Sequence, residues 1–155
     1  MARYQGTITA PRPPEEVWRY LADLRSVAEW DPSVAGVRLI SGEPGTVGAR
    51  YEVDVNFLHR TLTLPYITVE AEPPHRVAFS ADTGAVSVHD EARITPIPAG
   101  GSSVTWDANL HLNGPGRMLD LPLRVAFNRI GSRAEFGLAN RLNEPSMTPS
   151  AGERT

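Results

Sequence analysis

Asp90 stands in the run "VSVHDEARI", where Val86, Val88, Ala92 and Ile94 share its parity. Successive strand residues face opposite sides, so this spacing turns the carboxyl toward the apolar side. A carboxyl placed there must find donors or take up a proton. It then serves either as a structural partner for an Arg or Tyr across the sheet, or as an acid–base group with a raised pKa. A β-bulge in the run would reverse its facing and remove both roles. Tyr66, in a second β-like run, and His59, beside a hairpin turn, are the other candidates for moving a proton. His59 either reaches the rim of an enclosed space or stays in an exposed turn.

Other chemistries find little support. His59, His75, His89 and His111 show no HxH or HExxH spacing, so we expect no metal site. With no Cys there is no disulfide framework and no thiolate ligand. No GxSxG elbow is present. "GEPGTVG" and "PAGGSS" lack a strand before and a helix after, so they read as turns and no cofactor is expected. All 15 Lys+Arg positions are Arg, spread among 18 acidic residues for a net charge of -3. That mixing argues against nucleic acid as a partner. The N-terminus has no apolar h-region, and nowhere do eighteen apolar residues run together. We therefore expect no stable membrane insertion and a cytoplasmic location.

The elements that must position these residues follow from periodicity. A chain of 155 residues suits one domain, with a sizeable core, over 1–143. Arg3 to Ala10 alternates as a first strand. Pro14 is placed to open a helix, Glu15 and Glu16 suit its first turn, and Val17, Leu21 and Leu24 make its apolar stripe. A second short helical piece, Val27 to Trp30, ends at Asp31-Pro32. From Ala35 to Leu112 the pattern is β-like, about six strands. Tyr51, Val53, Val55 and Phe57 form the cleanest alternating face, and Val104, Trp106, Ala108, Leu110 and Leu112 form another. Pro65 within the run Thr61 to Ala71 marks an edge position or a bulge. Arg117 to Asn143 changes to helical spacing, with Leu119, Leu123, Phe127, Ile130, Ala134, Leu138 and Leu142 as its stripe. That is a helix of about seven turns, with a kink or late start at Pro122. The polar residues 144–155 read as a disordered tail.

Antiparallel strands with one apolar face need a cover, and the last helix is the only element long enough. A twisted sheet curling around a cylinder leaves space between them. The two short helices then plug one end of the groove, and Trp30 either projects into the mouth or pins the broken segment. Trp30, Tyr51, Val53, Phe57, Thr68, Phe79, Trp106, Leu110, Phe127 and Ile130 are the candidate lining residues. Each is otherwise a core residue. Tyr and Trp suit a pocket because an apolar body carries one donor.

This order resembles the polyketide cyclase/dehydratase-like group of the START/Bet v 1 (SRPBCC) superfamily, the helix-grip fold of class α+β. The matching pieces are "APRPPEEVWRYLADL", "AEWDPSV", "VGARYEV", "EAEPPHRVAF" and "GSSVTWDANLHLNG", spread over 2–143. The resemblance implies an internal cavity for a hydrophobic small molecule and no shared catalytic residue. It implies a choice of three roles. One is a polyketide cyclase or dehydratase, in which Asp90, Tyr66 or His59 moves a proton while the cavity folds the substrate. The second is a non-catalytic carrier of a lipid, quinone or other apolar metabolite. The third is a stress or chaperone-type interaction module. Thr68 departs from the apolar residue usual in that group, and is either a polar handle or simply a good strand former. Edge strands leave monomer and homodimer both open.

Overall fold

The computed structural model describes residues 2–57, 59–114 and 120–144, including their side chains except those of 120–127. Of the tail expected over 144–155, residues 145–155 lie outside the described residues.

Strand β1 (Ala2–Ala10) is followed by α1 (Pro14–Ala22), a 3-10 turn (Leu24–Ser26) and α2 (Val27–Trp30). Pro14 opens α1 after an extended Pro13, and Glu15 and Glu16 occupy the first turn. Asp23 ends α1 in an extended conformation, and its carboxylate accepts the Arg25 N–H at 3.1 Å. That local cap is why the helical segment breaks rather than continuing. Val17, Leu21 and Ala22 are buried. The Trp18 indole N–H donates to the Arg76 carbonyl at 2.9 Å and fixes α1 to the sheet.

The sheet then runs through β2 (Val34–Ser41), β3 (Arg50–Phe57), β4 (Arg60–Glu72), β5 (Arg76–Asp82), β6 (Val86–Pro96) and β7 (Ser102–Leu112). All pairs are antiparallel, in the order β1-β7-β6-β5-β4-β3-β2. Pairing of β6 with β5 and with β7 has no register shift. The bulge in β4 lies between Thr68 and Glu70, not at Pro65. Pro65 instead sits where β4 runs past its last pair with β5, Tyr66 with Ala81, so its missing N–H breaks no ladder there.

Helix α3 (Asp120–Leu142) closes the sheet, burying Ala134, Leu138 and Leu142. Its closest backbone approaches are to β1 and α2. Two glycines permit them. A Cβ at Gly131 would lie 2.3 Å from the Tyr4 ring, and one at Gly137 would lie 2.0 Å from the Trp30 carbonyl oxygen. The end of α3 is held by Arg12, which donates to the Leu142 carbonyl at 3.1 Å. Arg141 adds an ion pair to Glu29, whose carboxylate also accepts the Tyr20 hydroxyl at 2.5 Å.

This is the helix-grip arrangement, class α+β. Its core divides in two. Beneath α1 the interior is packed, with Tyr51 and Phe79 in edge-to-face contact, centroids 6.4 Å apart, among Val17, Leu21 and Val77. Toward α3 it is hollow. Among the described residues no helix is long and apolar enough to cross a membrane.

Candidate functional site

The hollow has a volume of about 160 Å³. Its walls come from the inward faces of β1, β3, β4, β6 and β7, from the start of β2, from the 3-10 turn and α2, and from the side of α3. Most are apolar. A few polar groups interrupt them: Asp90 and Tyr66 on the sheet, Asp31 and Ser33 after α2, and Tyr4 and Glu135 where β1 meets α3.

Asp90 faces inward because β6 alternates without a bulge, so it shares the face of buried Val88, Ala92 and Ile94. Tyr66 comes from β4, two strands away. Its row runs through Ala81 to Val88, and the small Ala81 lets the ring cross β5. The Tyr66 hydroxyl donates to Asp90 Oδ2 at 3.1 Å. No described residue bonds the other oxygen. Burial pushes the Asp90 carboxyl up to about 7; the Tyr66 hydrogen bond opposes this, and the charges of Asp31 and Asp107 add to it. Burial and the neighbouring carboxylate also raise the Tyr66 phenol, so it stays a donor through the neutral range. The pair thus presents a carboxyl able to give or take a proton near neutrality, steadied by a hydroxyl that does not ionise.

Asp31 follows α2 and accepts the Ser33 N–H at 2.8 Å and the Ser33 hydroxyl at 2.7 Å through one oxygen. Burial raises its pKa, and these two bonds work against the rise. Trp30 packs edge-to-face on Trp106 with centroids 5.1 Å apart, and both line the hollow. The Trp30 indole N–H is buried without a partner. Tyr4 donates its hydroxyl to Glu135, joining β1 to α3 at the wall.

Of the residues singled out from sequence, Asp90, Tyr66, Trp30, Val53, Phe57, Trp106, Leu110 and Ile130 meet at the hollow. Four others lie away from it. His59 occupies the β3–β4 turn with φ 65° and is exposed, so it does not approach Asp90. Tyr51 and Phe79 face inward but lie in the packed half of the core. Thr68 is fully buried and its hydroxyl has no partner; it supplies no handle to the hollow. The side chain of Phe127 lies outside the described residues. Asp31, Ser33, Tyr4 and Glu135 were not anticipated. Tyr4 shares the inward parity of Ile8, and Glu135 follows Ala134 of the helical stripe, so both carried a signal. Asp31 read only as a helix stop.

The family model described as "Polyketide cyclase / dehydrase and lipid transport" matches residues 1–141. A Mycobacterium tuberculosis protein named Toxin Rv0910 is 30% identical over 127 residues, covering 81% of this chain and 86% of that protein. An aromatase/cyclase from Streptomyces sp. R1128 superposes with a TM-score of 0.70 at 16% identity, covering 90% of each chain. A START superfamily protein from Mycobacterium smegmatis gives a TM-score of 0.73 at 11% identity, covering 92% of this chain and 97% of that one.

Proposed function

The chain belongs to the polyketide cyclase/dehydrase and lipid transport family, and from that premise we propose that it seats a small hydrophobic molecule in the hollow and moves a proton on it through Asp90. The observation that carries this reading is the Asp90–Tyr66 pair set into an otherwise apolar wall. An ionised Asp90 takes a proton from carbon beside a carbonyl of the guest; the electron pair passes to the carbonyl oxygen as an enolate. In a cyclase outcome the enolate carbon attacks a second carbonyl of the guest and protonated Asp90 gives its proton to the alkoxide so formed; in a dehydratase outcome the enolate pair forms a C=C bond as a β-hydroxyl takes that proton and leaves as water. Tyr66 keeps its own proton and holds the carboxylate in place. A hollow of about 160 Å³ is close to the size that admits one benzene ring. The reacting segment, not a whole extended chain, occupies it.

The test is to identify the molecule extracted from the purified protein, offer it back, and follow turnover. Asp90→Asn is expected to lose at least about a hundredfold in kcat, within the range for a general acid–base group. Tyr66→Phe is expected to shift the pH profile. Equal turnover by wild type and Asp90→Asn eliminates the assignment; binding without turnover by any variant favours the carrier reading.

A second reading comes from the relative named a toxin. Growth arrest on expression, abolished by filling the hollow, would tie such an effect to the same site.

A further inference from the structure

The charge and aromatic content of the wall narrow the chemistry of the occupant, an inference that rests on the binding half of the reading above and not on its proton transfer, since both use the same Asp90 oxygen. We infer that the hollow takes a hydrophobic cation, a protonated amine on a compact aromatic or aliphatic frame, with its nitrogen at the free oxygen of Asp90.

Three features lead there. The ionisable carboxyl groups on the described wall, Asp31, Asp90 and Glu135, share one sign, and no Arg or His is among the described lining residues. Arginines of the sheet lie on its outer face in ion pairs, Arg3 with Asp107 at 2.6 Å and Arg38 with Asp54 at 2.7 Å. A carboxylate guest would therefore meet like charge inside a low-dielectric wall.

The polar wall atoms are also incompletely used. Tyr66 occupies one oxygen of Asp90, and Ser33 occupies one oxygen of Asp31. The second oxygen of each is bonded by no described residue. Trp30, only 5% exposed, leaves its indole N–H without a partner on the same wall. Acceptors that open into an apolar hollow call for donors, and an ammonium brings three. The indole N–H suits an acceptor or ring on the same guest.

Trp30, Trp106 and Tyr66 then supply the aromatic surface against which such a cation is favoured. The volume of the hollow admits one ring.

The experiment compares 2-phenylethylamine, 2-phenylethanol and phenylacetate, which share a ring and differ in the charge of the head group. Binding to the full chain at pH 7.5 is read from NMR shifts of the wall methyl groups of Val53, Val88 and Leu138. The amine is expected to bind about tenfold tighter than the alcohol, as a charge-assisted bond exceeds a neutral one, and phenylacetate weakest. In Asp90→Asn the advantage of the amine over the alcohol is expected to fall within about twofold, with the alcohol still bound. An amine no tighter than the alcohol, or phenylacetate tightest, overturns the cation preference and leaves the ligand-binding reading standing. An advantage that survives Asp90→Asn overturns the placement of the nitrogen. No shift of the wall methyl groups with any of the three overturns both.

Discussion

Replacing Asp90 by Asn measures how strongly the hollow opposes a negative charge. The folded carboxyl titrates at about 7, against 3.8 for the free side chain. Below pH 4 the group is protonated in both states and contributes no difference. Between about 4 and 7 the unfolded chain releases this proton while the folded chain keeps it. Stability therefore falls as pH rises across that window and levels off above it. An interval of about 3 in pH, at 1.36 kcal/mol each, gives about 4 kcal/mol. Water entering the hollow screens the charge, which lowers the expected effect to about 2–4 kcal/mol. Asn has the same shape and still accepts the Tyr66 hydroxyl, yet carries no proton to lose. Tyr66 and Asp31, which face this position, and Asp107, whose charge reaches it from the outer face, remain in the variant, so their own titrations largely cancel in the comparison. Urea denaturation followed by circular dichroism from pH 3.5 to 9 reads the difference directly. Asp90→Asn is expected to match wild type at the acid end and to exceed it by about 2–4 kcal/mol at pH 8. Parallel stability curves, or a variant weaker than wild type at pH 8, refute the reasoning.

Other substitutions test the packing that shapes the hollow. Thr68→Val replaces a buried hydroxyl without a partner by a methyl of the same shape; it is expected to gain about 1 kcal/mol, raising Tm by about 2–4 °C. Gly137→Ala places a Cβ 2.0 Å from the Trp30 carbonyl oxygen. It is expected to lose about 1–3 kcal/mol in chemical denaturation, although Ala alone favours a helix by about 1 kcal/mol. A stabilised Gly137→Ala would show that α3 does not sit this tightly on α2. Tyr4→Phe removes the hydroxyl that Glu135 accepts; a drop of about 1–2 kcal/mol in thermal or urea stability is expected, because the carboxylate loses its donor.

Alternation made much of this legible. The parity of Val86 to Ile94 placed Asp90 inward, and the unbroken register of β6 preserved that facing. Pro14, the acidic first turn of α1 and the Ala134–Leu138–Leu142 stripe each carried a local signal that survived folding. Parity names a face, however, and not what covers it. Tyr51 and Phe79 have the right parity, but α1 fills the groove above them, while Val53 and Trp106 on the same sheet look into empty space. That division depends on where α3 docks, and two glycines with no periodic signature set the docking. Asp31 joins the site only because the short helices turn back over the sheet. His59 takes the exposed turn, one of the two placements its position left open, with its backbone in the left-handed region.

The central claim is an occupied hollow beside Asp90, and filling it tests that claim most directly. Ala108 lines the wall opposite α3, paired with Asp90. Native mass spectrometry would compare wild type with Ala108→Leu, both first checked for equal thermal unfolding. The account predicts a small-molecule adduct on wild type, released by gentle activation, and a bare Ala108→Leu chain. The same adduct on both, or a bare wild type after purification from its own host, would contradict it.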